Sequence, residues 1–148
     1  MAKPNFRVER ALIGRGGWPV AGVDEAGRGP IAGPIAAAAV ILDPRKVPRG
    51  LNDSKLLTPE ERDRLYDEIM LRAVAVSVAF VSAAEIDAIN IRQAALSAMR
   101  NALCGLAVAP RHVLIDGNDP TLDLPCPAEA IVKGDGAISS IAAASIIA

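Results

Sequence analysis

The sequence predicts an α/β domain in which a mixed five-stranded sheet is flanked by helices. Three observations predict it. The apolar half of the residues is mostly Ala, Val, Ile and Leu, with Trp18, Tyr66, Phe6 and Phe80 as the aromatics, a composition suited to helices packed closely on a sheet. Apolar runs of strand length alternate with segments that carry helix-capping signals. At 148 residues, the chain is long enough for one domain with a sizeable core.

Residues 1–17 are basic, Gly-rich towards their end and without periodicity, which predicts a flexible arm ahead of a domain over 18–148. Pro19–Glu25 is a short apolar run ending in two acids, read as the first strand, and the Gly- and Pro-dense Ala26–Pro34 is a loop. Ile35–Leu42 is continuously apolar, the mark of a strand buried on both faces. After the polar loop Asp43–Lys55, Thr58 as N-cap, Pro59 at the first helical position and Glu61 three residues after the cap open a helix to Met70. Ala73–Val81 reads as the third strand. Ser82 caps a short helix through Ile89, and Asn90 caps Ile91–Leu106, where Ile91, Ala95, Leu96, Met99 and Leu103 share a face. His112–Asp116 is the fourth strand and Ala128–Val132 the fifth. Ser139 or Ser140 starts an Ala-rich helix that is still running at Ala148. The order is ββ-α-β-α-α-β-β-α.

A net charge of −1 carries no global nucleic-acid signature, so positive charge for such a ligand has to be local. A local bias exists, from Lys3 through Arg28, Arg45, Lys46 and Arg49 to Lys55. Cys104 and Cys126 are far apart and without CxxC partners, as expected of reduced thiols in a cytoplasmic protein. The opening residues lack the apolar core of a signal peptide, and no uncharged stretch is long enough to span a bilayer. No membrane association is expected. Gly14–Gly17 lacks the Lys-Ser/Thr of a phosphate-binding P-loop, and the single histidine, His112, reads as structural.

Chemistry is expected from acids at strand ends: Asp24 and Glu25 after the first strand, Asp116 after the fourth. Such acids gather at the sheet edge where ligands bind in α/β folds. Asp24 and Glu25 leave opposite faces of a regular strand and converge only if the chain turns there, for which Gly27 and Gly29 supply freedom. Gathered carboxylates repel unless a cation intervenes, and hard oxygen donors without Cys or His favour Mg²⁺ or Mn²⁺. Taken by themselves, the acids fit solvated loop or capping positions as well.

The acids stand within longer motifs. Gly22-Val23-Asp24-Glu25-Ala26-Gly27-Arg28-Gly29-Pro30 with Gly33-Pro34, then Leu51-Asn52-Asp53-Ser54-Lys55, Ile115-Asp116-Gly117-Asn118, Lys133-Gly134-Asp135 and Ser140–Ala148 resemble, in order, the motifs of prokaryotic type 2 ribonuclease H. The resemblance covers Val20 to the last residue. It implies a ribonuclease H-like sheet and an endonuclease that hydrolyses the phosphodiester 5′ to ribonucleotides, in RNA–DNA hybrids or embedded in duplex DNA, with two divalent metal ions. It implies Asp24, Glu25 and Asp116 as three of four metal-binding carboxylates; our own expectation is that Asp24 is shared between the ions, with Glu25 and Asp116 each favouring one. Gly27, Arg28 and Gly29 match a loop that senses the ribose 2′-hydroxyl, the group that separates RNA from DNA. Asn52, Ser54 and Lys55 match a loop that holds the phosphate backbone, while Asp53 and Asp135 read as structural.

In the family, the helix of Ser140–Ala148 continues into an Arg-Asp pair carrying the fourth carboxylate, and the sequence here ends before it. A C-terminally truncated domain is therefore expected, acting as a monomer. Two other readings follow from the residues: a fragment that binds hybrids without cutting, and an unrelated phosphotransferase with Asp116 as nucleophile. Asn118 weakens the last, because such enzymes place a second acid two residues on.

Overall fold

The computed structural model describes residues 3–26, 34–117, 124 and 126–148. Five strands, β1 (Val20–Ala26), β2 (Ile35–Ile41), β3 (Ala75–Val81), β4 (His112–Asp116) and β5 (Ala128–Ile131), form one mixed sheet in the order β3-β2-β1-β4-β5. β1 pairs antiparallel with β2 and parallel with β4, so the sheet changes character at β1. The helices are α1 (Arg7–Gly14), α2 (Pro59–Arg72), α3 (Ala83–Ile89), α4 (Ile91–Cys104) and α5 (Ser139–Ile147), with 3-10 turns at Ser54–Leu56 and Gly134–Gly136. The expected mixed sheet flanked by helices is what forms.

Strand alternation divides the core. Ala21, Val23, Ala37, Ala39, Ile41, Val113 and Ile115 face α4, which buries Ala95, Met99 and Ala102 against them. Ala38 and Val40 face the other side, where α2 contributes Leu65 and Ile69 and α5 contributes Ala142–Ala144. The apolar stripe of α4 differs from expectation at its start. Ile91 lies at the helix mouth and is 44% exposed, while small Ala94 and Ala98 widen the buried face.

Local chemistry explains the helix starts. Thr58 Oγ1 accepts from the Glu61 backbone N–H at 3.1 Å and Glu61 returns the contact to the Thr58 N–H at 3.0 Å. Ser82 and Glu85 repeat this reciprocal cap at α3, and Asn90 caps α4 through Gln93.

The stretch read as a flexible arm contains a helix. α1 lays Val8, Leu12 and Ile13 against Val20, Leu114, Ile138 and Ile141. Asn5 bonds Ala137 and Ser139 through its backbone. Glu9 is fully buried and accepts the Ser140 backbone N–H at 2.9 Å, so an acid from α1 satisfies a donor in the first turn of α5. Its N-cap is Phe6, which offers no side-chain acceptor, and Asn5 Oδ1 takes the Arg7 N–H at 3.0 Å instead.

Burial raises the Glu9 carboxyl above its ordinary value, the Ser140 bond opposing in part. The folded chain therefore holds this proton to higher pH than the unfolded chain, and the Glu9 contribution to stability falls as pH rises from the ordinary value of 4.5 through the raised one. Glu9→Gln is expected to flatten this decline. Urea midpoints followed against pH test it, and parallel curves for parent and variant would contradict it.

Candidate metal centre

β1 and β4 are parallel neighbours whose C-terminal ends lie at the same edge, Val23 pairing with Ile115 just before the acids. Gly22 leaves β1 towards α5, so Asp24, two residues on, leaves on the same face. Leu114 packs on the α5 side of β4, and Asp116 follows with the same parity. The Gly134–Gly136 turn that leads into α5 brings Asp135 onto this face. Carboxylate oxygens of Asp24, Asp116 and Asp135 all lie within 4.8 Å of one another.

Glu25 is not in this close group. β1 stays regular through Ala26, where Ala26 still pairs with Ala36, so Glu25 has the opposite strand parity to Asp24, and the glycines expected to turn the chain there lie outside the described residues. It remains a neighbour: its backbone N–H donates to Asp24 Oδ1 at 2.8 Å and its charge acts on Asp24. Asp135, read from sequence as structural, stands in the cluster instead. Its signal was positional, an acid in the turn between β5 and α5, hence at the same edge as Asp116.

The electrostatics are those of a cluster of acids held close together. Burial, then the charges of Asp116 and Glu25, push Asp24 up to about 9, with Asp116 also sharing a hydrogen bond with it. Burial and the charges of Asp116 and Asp53 raise Asp135, opposed by Lys55. The Gly134 backbone N–H donates to Asp116 Oδ1 at 2.8 Å and orients that carboxylate. Three hard oxygen donors, one of them 95% buried on a face without His or Cys in the group, fit a divalent cation of the Mg²⁺ or Mn²⁺ kind. Asp24, Asp116 and Asp135 would hold it.

The Asn52–Lys55 loop sits beside the cluster, since the charges of Asp53 and Lys55 reach Asp135. Asn52 Oδ1 accepts from the Asp53 N–H at 2.9 Å, and Ser54 Oγ lies 2.9 Å from Ser145 Oγ on α5. The exposed Lys55 has its ammonium 3.9 Å from Asp53. Gly27, Arg28 and Gly29 lie outside the described residues. His112 approaches Glu129 at 4.0 Å, away from the acids. Among the described residues no helix is long and apolar enough to cross a membrane.

The family described as Ribonuclease HII matches residues 21–148. The ribonuclease HII of Bradyrhizobium diazoefficiens is 59% identical over 146 residues, covering 99% of this chain and 55% of its own length. That of Sinorhizobium fredii is 61% identical over 145 residues, covering 98% and 62%. The chain thus spans little more than half the length of these curated relatives. The crystal structure of the ribonuclease H2 from Pyrococcus horikoshii OT3 superposes with a TM-score of 0.75 at 31% identity, over 86% of this chain and 69% of that one. A match that runs from the second residue of β1 through α5, on a sheet with the same architecture, places this chain in the ribonuclease HII family.

Proposed function

We propose that this chain is the core of an endonuclease that hydrolyses the phosphodiester 5′ to ribonucleotides in RNA–DNA hybrids or embedded in duplex DNA, as a cytoplasmic monomer. The observation that carries the reading is the convergence of Asp24, Asp116 and Asp135 at one sheet edge. Family membership and the adjoining Asn52–Lys55 loop support it. When bound, paired Mn²⁺ or Mg²⁺ ions polarise the scissile phosphate and lower the pKa of an attacking water.

The chain's own residues do the rest. Asp24, the most buried acid of the cluster, would serve as the shared ligand, with Asp116 and Glu25 as further ligands and Asp135 completing the set. Gly134 holds Asp116 in its ligating orientation. Ser54, steadied by Ser145, and Lys55 present donors and positive charge to the phosphate backbone, as does Asn52. Gly27, Arg28 and Gly29 bond the ribose 2′-hydroxyl. A site built around that hydroxyl leaves polar groups unpaired on DNA, which is worth discrimination of about 10⁴ or more.

A duplex with one embedded ribonucleotide tests the reading. With Mn²⁺ or Mg²⁺, incision is expected on the 5′ side of the ribonucleotide, leaving 3′-hydroxyl and 5′-phosphate ends. The all-DNA duplex of the same sequence should be cut about 10⁴-fold more slowly. Binding without incision would instead make this chain a hybrid-binding fragment, and equal cutting of both duplexes would refute ribonucleotide sensing.

A further inference from the structure

A net charge of −1 conceals a local cluster of positive charge. Arg45, Lys46 and Arg49, from the loop after β2, and Arg64 and Arg72, from α2, line an open groove of about 520 Å³ with Glu68 as its one acid. The side chains are organised. Glu68 holds Arg64 at 2.7 Å and Arg72 at 3.6 Å, each one helical turn away. Gly50, at φ +90°, passes so close to Arg64 that a Cβ there would lie 3.1 Å from its guanidinium. Asp43 accepts from Arg45 Nε at 3.4 Å and from its backbone N–H at 2.9 Å. Even against both acids, the groove keeps a surplus of positive charge.

The groove does not belong to the metal centre. The cations sit at the end of the sheet where β2 finishes and β3 begins, Ile41 pairing with Ala75. Asp24 and Glu25 lie towards the opposite end of β2, beside Ala38 and Ala37. α2 connects the two places: its first residues follow the Asn52–Lys55 loop, and Arg72 closes it at the groove. Its 14 residues span roughly 21 Å, about six base-pair steps of a duplex.

We propose that this groove is a second phosphate-backbone site, an exosite that grips duplex nucleic acid beyond the segment held at the metal centre. Four of its five cations are Arg, whose planar fork matches phosphate oxygens in pairs, and the cations sit on two elements that face one another, as a bound backbone requires. The inference rests on the nucleic-acid reading above. It adds an anchoring contact that does not read bases and is therefore tolerant of sequence.

The test uses Arg45→Ala, Lys46→Ala and Arg49→Ala together, all in a loop outside the catalytic groups, with a thermal transition matching the parent as the folding control. Binding is measured against salt on two duplexes carrying one ribonucleotide, one extending about 15 base pairs to either side and one about 4, too short to reach the groove. On the long duplex, the slope of log affinity against log salt should shrink by about 2 to 3, near 0.9 per lost phosphate contact. On the short duplex the slope should not change. An unchanged slope on the long duplex would overturn the exosite and leave an acidic polypeptide as the occupant its charge fits. An equal loss on both would overturn its separateness from the centre. Incision by the parent reports on the nuclease reading independently, so the two fail in different measurements.

Discussion

Asp24→Asn is expected to lower the affinity for divalent cations by about 100-fold or more, and at the same time to stabilise the cation-free chain. Removing a partner that merely orients a metal ligand costs 10- to 100-fold, so a direct and buried ligand should lose at least the upper figure. The stabilisation has the same origin. Burial, Asp116 and Glu25 hold Asp24 at about 9, far above its ordinary 3.8. Its contribution to the stability of the cation-free fold is complete below the ordinary value and is lost as pH rises towards 9, because the unfolded chain releases that proton first. Asn imitates the protonated acid and is free of that loss. Calorimetric titration with Mn²⁺ checks the first part, and thermal unfolding in chelator across that pH interval checks the second. Unchanged Mn²⁺ affinity in the variant would remove Asp24 from the centre.

The second large effect lies two residues earlier. Gly22→Ala is expected to destabilise the fold by about 3 kcal/mol or more, the upper end of what overpacking costs when side chains can yield. Here they cannot. A Cβ on Gly22 would stand 2.3 Å from the Ser140 carbonyl carbon, 2.5 Å from its oxygen and 2.6 Å from the Ile141 nitrogen, all backbone of the first turn of α5. Relief requires moving the whole helix, whose N-terminal N–H groups are held by Asn5 and Glu9. The same shift would carry the turn bearing Asp135 away from Asp24. Gly14→Ala, which meets open space, is the control and should be close to neutral. A Gly22→Ala chain with the urea midpoint of the parent would show that α5 adapts freely.

Local signals were legible wherever a few neighbouring residues settle the structure. Thr58 with Glu61 and Ser82 with Glu85 announce helices because each cap is completed within four residues. Ile35–Ile41 could be read as a doubly covered strand because it sits in the sheet interior between β1 and β3 and is apolar at every position. α1 was not legible, since much of what holds it comes from Leu114 and from Ala137–Ile141, more than a hundred residues away.

The sequence by itself determined the α/β class, the boundaries of most elements and the acids at the ends of β1 and β4, because periodicity, capping and strand termini are local properties of the chain. Tertiary structure alone decided which acids share a face. Asp24 and Asp116 take the strand parity that faces α5, and the approach of α5 onto Gly22 brings Asp135 into the cluster. Both outcomes depend on strand parity and on packing between distant segments, where a one-residue difference in where a strand ends reverses the face on which a carboxylate is presented.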